Sequence, residues 1–295
     1  MSTAVAPVPP PHRTVAGAAL LLWTGAAVAA PSAPAAEADT LVERVNDYRA
    51  QARQCEGRER EPAGPLAPDP RLAEVDLAGG GSIREALRAV GYNAAAAQTI
   101  AIAGPDDAAS AMDLVRQRYC APLMDPQFAE IGAAHDGARW QIVLARPLLS
   151  EDLGDWQEAG RAVLEQVNAA RAQARSCGGR HFDAAGPLTW DAALAEAALA
   201  HSRGMAERNV FSHRGGDGSE VGARATRAGY AWRHVGENIA AGQGAPEQVV
   251  AGWLSSPGHC ANIMDPQFTE MGAAYATDPD SDAVSYWTQV FGAPR

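Results

Sequence analysis

The chain has 295 residues, of which 47% are hydrophobic and 20% are charged, a composition typical of a globular protein rather than a disordered one. This length suits one large domain or two of ordinary size, each with a core of its own. The formal net charge of −11 and the lack of a basic run exclude attachment to nucleic acid or to an anionic membrane surface through phosphate contacts.

The N-terminus has the pattern of an export signal. His12 and Arg13 precede an apolar run that is short for a membrane span of about 20 residues and is followed by small residues. We therefore predict a signal peptide over 1–30, cleaved within 29–36, and a disordered Pro/Ala-rich leader over 31–38. The mature protein would be secreted, extracellular or in the envelope, without a stable membrane span. A retained N-terminal anchor is the alternative.

Two blocks of sequence occur twice in the same order. The matching blocks are Leu41–Cys55 with Val163–Cys177 and Cys120–Ala134 with Cys260–Ala274. Two long matches in the same order indicate an internal duplication. We predict two tandem copies of one fold, 39–148 and 157–295, joined by a polar linker. The first copy is shorter between the blocks: it has a Gly-rich stretch where the second reads Ala200–Gly218.

Each predicted copy contains two of the four cysteines. Four cysteines permit three pairings, but duplication together with an oxidising compartment favours bridges within each copy, Cys55 with Cys120 and Cys177 with Cys260. Each bridge closes a long loop and would contribute on the order of 4 kcal/mol. A zinc site made of these cysteines is not expected because no Cys-x-x-Cys spacing occurs.

The second copy shows helical periodicity first and strand patterns last. The predicted helices run from Val163 to near Cys177, from Trp190 to Met205 with Asp191 as the N-cap, from Val221 to Ala228, and from Pro246 to a stop at Ser256–Gly258. The predicted strands are Phe268–Ala276 and Ser285–Phe291. Helices followed by strands within one domain indicate an α+β fold with helices packed on an antiparallel sheet.

Two dense polar motifs stand out in the second copy, GENIA from Gly236 and WLSSPGHCANI from Trp253. His213 and His259 both lie at the edges of predicted helices, where an imidazole is well placed for metal binding or for acid/base chemistry. Glu237 is the carboxylate of GENIA, and its alternative role is to brace the backbone. Spacing alone gives weak support for a metal, because the two histidines do not form a compact motif such as His-Glu-x-x-His.

The remaining histidines of the second copy have simpler interpretations. His201 shares a helix face with apolar residues and is predicted to be a hydrogen-bonded core residue. His181 and His234 lie in polar stretches and are predicted to be on the surface. The candidate site is therefore limited to His213, Glu237 and His259.

The first copy provides an internal control for this candidate site. It has Tyr119 in the place of His259, Gln98–Ile100 about where Glu237–Ile239 lies, and no counterpart of the His213 segment. The cysteines and the DPQF tract persist in both copies, whereas the three ionisable groups are lost together. This joint loss favours one shared site over three separate structural roles.

The motifs of the second copy resemble the bacterial SCP-like branch of the CAP superfamily, whose relatives are cysteine-rich secretory proteins, antigen 5 allergens and pathogenesis-related proteins. The motifs that carry the resemblance are Leu188–Trp190, Phe211–His213, Gly229–Tyr230, GENIA, WLSSPGHCANI, FTEMGAAY and Tyr286–Gly292. They cover nearly all of 161–292 in the family order. The first copy resembles an eroded form of the same domain.

The resemblance implies an α-β-α sandwich with a central cleft lined by two histidines and two acids. By motif, these positions are His213, His259 and Glu237, while the place of the second acid is Ser256. Together with Asn238, which follows Glu237 in the same motif, these residues are expected to line the ligand cleft. Related domains bind zinc, sterols or fatty acids. We therefore expect weak binding of Zn²⁺ by His213 and His259, and a lipid or cell-wall fragment as a ligand.

Three functions follow as hypotheses. The favoured one is a non-catalytic secreted binding module with a metal or ligand cleft in the second copy. The second is a purely structural scaffold held by disulfides. The third is a metal-assisted hydrolase in which His213 and His259 hold the metal and Glu237 is the general base. A metal-free serine mechanism is not expected because Gly-x-Ser-x-Gly is absent.

Overall fold

A computed structural model of the protein describes residues 33–77, 81–137, 139–149 and 153–295. We call 33–149 the first half and 153–295 the second half. The predicted signal peptide and the first two residues of the predicted leader lie outside the described residues. None of the described helices is long and apolar enough to cross a bilayer.

The first half contains five helices and six strands within its described residues. They are α1 (Ala33–Arg49), β1 (Arg53–Cys55), β2 (Arg58–Arg60), β3 (Ala67–Pro68), α2 (Pro70–Ala73), α3 (Ile83–Ala89), β4 (Ala94–Ala103), α4 (Ala108–Arg118), α5 (Cys120–Leu123), β5 (Glu130–Asp136) and β6 (Arg139–Pro147). Its four-stranded sheet has the order β3-β5-β6-β4, with β3 parallel to β5 and the other pairs antiparallel.

The second half repeats this succession of elements. They are α6 (Trp156–Arg171), β7 (Arg175–Cys177), β8 (Arg180–Phe182), β9 (Thr189–Trp190), α7 (Ala192–Arg208), α8 (Val221–Arg227), β10 (Trp232–Ala241), α9 (Pro246–Leu254), α10 (Pro257–Met264), β11 (Glu270–Thr277) and β12 (Ser285–Pro294). Its sheet has the corresponding order β9-β11-β12-β10. The common order of elements is an observation; the duplication itself stays a prediction.

Helices cover both faces of the second sheet, as the predicted sandwich requires. On one face, Val167 of α6 and Trp253 of α9 pack against Met271 and Phe291 of the sheet. On the other, Leu194 of α7 packs with its neighbours against Ala274 and Val290. Gly272 lets α7 approach closely, because a Cβ there would overlap the backbone of α7. The α+β fold with an α-β-α arrangement is confirmed.

Three sequence expectations about element ends need correction. Residues 33–38 of the predicted disordered leader form the start of α1, where the carboxylate of Glu37 accepts a 2.7 Å hydrogen bond from the backbone of Ala108 and Ala38 is buried. The first helix of the second half ends at Arg171, not near Cys177, because the chain turns into a hairpin at 175–182. Ser256–Gly258 ends α9 but also begins α10.

Both predicted disulfides are present. Cys55–Cys120 and Cys177–Cys260 close loops of 65 and 83 residues, with Cα atoms 5.4 Å and 5.6 Å apart. In each half the bridge joins the small hairpin to the short helix that precedes the central strands. The described residues contain no free cysteine.

A buried arginine supports the same region in each half. The guanidinium of Arg171 donates to the carbonyl oxygens of Gly186, Ile263, Asp265 and Phe268. Arg49 donates in the same way to Gly64, Leu123, Asp125 and Phe128. Both arginines are at most 1% exposed. They satisfy carbonyls that buried loops would otherwise leave without donors.

The two halves pack directly against each other through buried polar contacts. Gln243 is fully buried and donates from Nε2 to the carbonyls of Pro65 and Ala129, at 3.0 and 3.1 Å. Next to it, Gly242 has φ +91°, and a Cβ there would press on Ala129. This close approach makes the interface part of the folded framework of 33–295.

Candidate functional site

The site is built around the edge strand of the second sheet. Side chains of a strand alternate between its two faces, so Glu237 and Asn238 of β10 point to opposite sides. Their partners across the ladder are Val290 and Gln289 of β12. Glu237 faces the layer of α7 and α8, while Asn238 faces the layer of α9 and α10.

The Glu237 carboxylate is buried and fully engaged. Its Oε1 accepts a 2.9 Å hydrogen bond from His213 Nδ1, and its Oε2 accepts a 2.6 Å bond from Arg224 Nη2. His201 Nε2 lies 3.8 Å from Oε1. Because a carboxylate only accepts, His213 carries its proton on Nδ1 in this arrangement. Both carboxylate oxygens are therefore occupied by protein donors.

Arg224 is a site residue that the sequence interpretation missed. It is 6% exposed and also donates to the backbone carbonyls of Ser219 and His213, at 2.7 and 3.1 Å. It thus joins Glu237 to the loop that carries His213. The sequence signal for Arg224 is its position on the apolar face of α8, three residues after Val221 and one before Ala225. A charged residue on a buried face needs a buried partner.

Charges around Glu237 shift the pKa values in the site. Burial alone would raise the pKa of Glu237, but the hydrogen bond from His213 and the charges of His201 and Arg224 together outweigh it, and the pKa is lowered. Burial lowers the pKa of His201 to about 4 despite the attraction of Glu237. His201 is 2% exposed and bonded to the carbonyl of Ser212 at 2.9 Å, so it is the core histidine that its helix position predicts.

His259 reaches the site from the opposite face of the edge strand. It lies in the first turn of α10, and its Nδ1 is 2.9 Å from the hydroxyl of Ser256. Burial, and after it the nearby His213, lower the pKa of His259. His213 thus contacts Glu237 directly, whereas His259 contacts Ser256, the residue at the place of the missing acid.

Asparagine side chains fasten α10 to the edge strand behind the cleft. Asn238 Nδ2 donates to the carbonyl of His259 at 3.2 Å and to Gln289 Oε1 at 3.1 Å. Asn262 Nδ2 donates to Asn238 Oδ1 at 2.9 Å and to the carbonyl of Glu237 at 3.2 Å. Asn238 is fully buried, so it positions the site rather than lining it. Asn262 and Gln289 lie in motifs that the sequence analysis identified, but the sequence did not reveal the role of either side chain.

The face open to solvent consists of imidazole. The His213 side chain is 59% exposed, and His259 is half-buried. Both use Nδ1 within the protein, and no partner of either Nε2 is found among the described residues. The Nε2 atom of the exposed His213 is thus available to a ligand. His181, 66% exposed, and His234, stacked on Phe268, lie elsewhere.

The residues do not make a complete zinc site. Protein zinc is usually held by three or four side chains, and the described part of the chain has no group of three His, Cys, Asp or Glu placed to share one metal ion. Each oxygen of Glu237 already accepts a hydrogen bond, from His213 or Arg224, so a metal would share an oxygen with one of these donors. Zinc at His213 and His259 therefore stays a prediction, on two ligands only.

Comparison with known proteins agrees with the motif order. Residues 164–291 match the cysteine-rich secretory protein family, CAP. The chain is 37% identical over 105 residues to the uncharacterized protein YkwD of Bacillus subtilis, covering 36% of this chain and 39% of that protein. It is 34% identical over 85 residues to the uncharacterized membrane protein YlbC of the same organism, covering 29% and 25%. The matches thus span less than half of either relative.

Among solved structures, the chain resembles an extracellular protein of Bacillus anthracis that contains an SCP domain. The identity is 24%, the TM-score is 0.40, and the match covers 54% of this chain and 53% of that one. The family match falls entirely within the half that contains His213, Glu237 and His259. Residues 164–291, less than half of the chain, are therefore similar to a domain of the cysteine-rich secretory protein (CAP) family.

Proposed function

We propose that the chain is exported and that its second half is a non-catalytic binding module. The cleft formed by His213, Glu237 and His259 would hold a lipid or a cell-wall fragment, with Zn²⁺ as a weak additional ligand of the two histidines. The first half would contribute no ligand-binding groups of its own.

The observation that carries this proposal is the state of Glu237. A general base must accept a proton from water or substrate, which requires a free oxygen and a pKa near the working pH. Glu237 has a lowered pKa, is 3% exposed at its side chain, and spends one oxygen on Arg224 and the other on His213. This supports a structural acid that orients His213, and it disfavours the hydrolase alternative.

Zinc titration calorimetry on the mature protein near neutral pH tests the metal part of the proposal. The matched variants are the double variant His213→Ala, His259→Ala and the control His181→Ala, which removes an exposed histidine outside the site. We expect binding in the wild type and in the control and loss of binding in the double variant. Equal heats in all three proteins would contradict a metal role for these histidines.

Ligand binding is tested with the same three proteins and two probes, the fluorescent fatty acid cis-parinaric acid and purified peptidoglycan. Retention of either probe by the wild type and its loss in the double variant would support the cleft. If neither probe is retained by any protein, and the double variant differs only in stability, the structural scaffold replaces the binding module as the best description.

A further inference from the structure

One asparagine occurs at the same place in both halves but has different partners. In the second half, Asn168 bonds only within its own half, accepting from the backbone of Leu188 at 2.8 Å and donating to its carbonyl at 2.9 Å. Asn46 makes the same pair of bonds to Leu66, at 2.8 and 3.0 Å. Its Nδ2 additionally reaches the second half, where it lies 2.8 Å from Ser255 Oγ and 3.3 Å from the Ser255 carbonyl.

Ser255 occupies the turn that carries part of the site. It caps the end of α9, and the next residue, Ser256, precedes α10 and is bonded to His259. Both serines are held by side chains: Ser255 by Asn46, Ser256 by His259. The connection from the first half to the site imidazole therefore runs through two adjacent residues of one turn.

The rest of the interface makes this connection stiff. The carbonyl of Leu66 lies 3.2 Å from the hydroxyl of Ser255, and the carbonyl of Pro65 accepts from the fully buried Gln243. Gly252 of α9 lies against the backbone of Ala67. Moving the turn away from the first half would break the contacts of Ser255 with Asn46 and with the Leu66 carbonyl. The turn thus has one favoured position.

We infer that the first half positions His259, with Asn46 and Ser255 as the positioning residues. The half that lacks the site residues then has a function: it fixes the α9–α10 turn from outside, so that Ser256 and His259 meet the edge strand in one geometry. This inference rests on the proposed function only in taking His259 as a ligand-facing group.

Nuclear magnetic resonance of the histidine ring nitrogens in the full ¹⁵N-labelled chain tests the inference without any ligand. Seven histidines give seven ring systems, and a His259→Gln sample assigns the relevant one. In Ser255→Ala we expect the His259 ring signals to shift or broaden. Asn46→Asp, which keeps the acceptor for Leu66 but loses the donor to Ser255, should have the same effect.

Two further variants separate positioning from stability. Ser255→Thr retains the hydroxyl and should restore the wild-type signals. Ser281→Ala is the matched control, because the Ser281 hydroxyl likewise donates to a backbone carbonyl, that of Asp278 at 2.7 Å, in a different loop. It should lower the melting temperature while leaving the His259 signals in place. Unchanged His259 signals in both Ser255→Ala and Asn46→Asp would overturn the inference.

Zinc affinity and the His259 ring signals together distinguish failure of this inference from failure of the proposed function. If zinc binds, its affinity should fall about tenfold in Ser255→Ala, equivalent to about 1.4 kcal/mol, and stay unchanged in Ser281→Ala. If no ligand binds the wild type but the His259 signals respond as expected, the positioning role holds and the binding role is lost.

Discussion

The described parts of the two halves share a framework, but the candidate site residues lie in the second half. Glu130 pairs with Ala145 in the first sheet as Glu270 pairs with Gly292 in the second. Two residues earlier in β6 and β12, Val143 pairs with Thr99 in the first sheet and Val290 pairs with Glu237 in the second. Thr99 therefore occupies the position that corresponds to Glu237. The sequence comparison placed Gln98 at about this position, a difference of one residue.

The difference extends to the helices around that position. The first turn of α7 has its counterpart in α2, and Gly132 approaches Leu72 as Gly272 approaches Leu194. After this turn the first half lacks the rest of the helix and the loop that would carry a His213. The buried arginine, the asparagine of the first helix and the disulfide are nevertheless present in both. The framework therefore folds without the site, and the site depends on one added segment.

The largest effect that tests this comparison is expected at the buried arginines. Arg49→Met and Arg171→Met each remove the donors to four backbone carbonyls and should lower the free energy of unfolding by about 4 kcal/mol. Denaturant unfolding with the disulfides intact measures both. Arg227→Met, which loses an exposed ion pair with Asp217 and an exposed hydrogen bond to Ser219 Oγ, should be nearly neutral. A much smaller effect at Arg49 than at Arg171 would break the equivalence of the halves.

The second-largest expected effect is a pH dependence of stability, and it belongs to the second half alone. His201 is buried with a pKa lowered to about 4 from its ordinary value of 6.5, and Glu237, Arg224 and His213 are the charged or titratable groups around it. Because the folded state disfavours the protonated ring, the stability due to neutral His201 is complete above pH 6.5 and is lost as the pH falls towards 4. This loss amounts to about 3 kcal/mol.

Denaturant unfolding at pH 7 and pH 4 should show this loss in the wild type. His201→Gln should have a smaller difference in unfolding free energy between the two pH values, whereas the exposed His181→Gln should behave like the wild type. If His201→Gln keeps the full pH dependence, other groups cause it and the burial of His201 has no part in acid unfolding.

The smallest effect concerns a tyrosine–glutamate pair that both halves contain. Tyr92 donates to Glu130, which is 1% exposed, and Tyr230 donates to the half-buried Glu270 at 2.5 Å. Tyr92→Phe leaves a buried carboxyl without its donor and should cost about 2 kcal/mol, while Tyr230→Phe leaves one that water reaches and should cost about 1 kcal/mol. Thermal unfolding ranks the two variants, and the reverse order would show that burial does not set the difference.

Sequence alone predicted the framework well because its signals are periodic or duplicated. The apolar spacing gave α7, α8 and α9, with Asp191 confirmed as a side-chain N-cap and Pro246 in the first turn of its helix. Both disulfides are confirmed, and residues 164–291 match the predicted family. The strand β10 was missed, since glycine and polar residues in GENIA hide the alternation that marks a strand.

The candidate site was predicted as a set of residue types but not as a network. Sequence motifs name His213, Glu237 and His259, and the structure shows His213 bonded to Glu237 and His259 bonded to Ser256. The partners that determine their chemistry come from distant segments, Arg224 from α8 and Asn46 from the other half, and no local pattern links such pairs. Zinc, the ligand and the signal peptide stay predictions.

The bridge between Cys177 and Cys260 has a consequence for where such a protein can work. Cys260 directly follows His259, so the covalent tether of α10 and the ligand-facing imidazole are neighbours in the chain. A reductant that opened the bridge would loosen the helix turn that presents the imidazole, even with the rest of the sheet intact. The cleft and the redox state of its surroundings are therefore coupled, and a site held in this way keeps its shape in an oxidising environment.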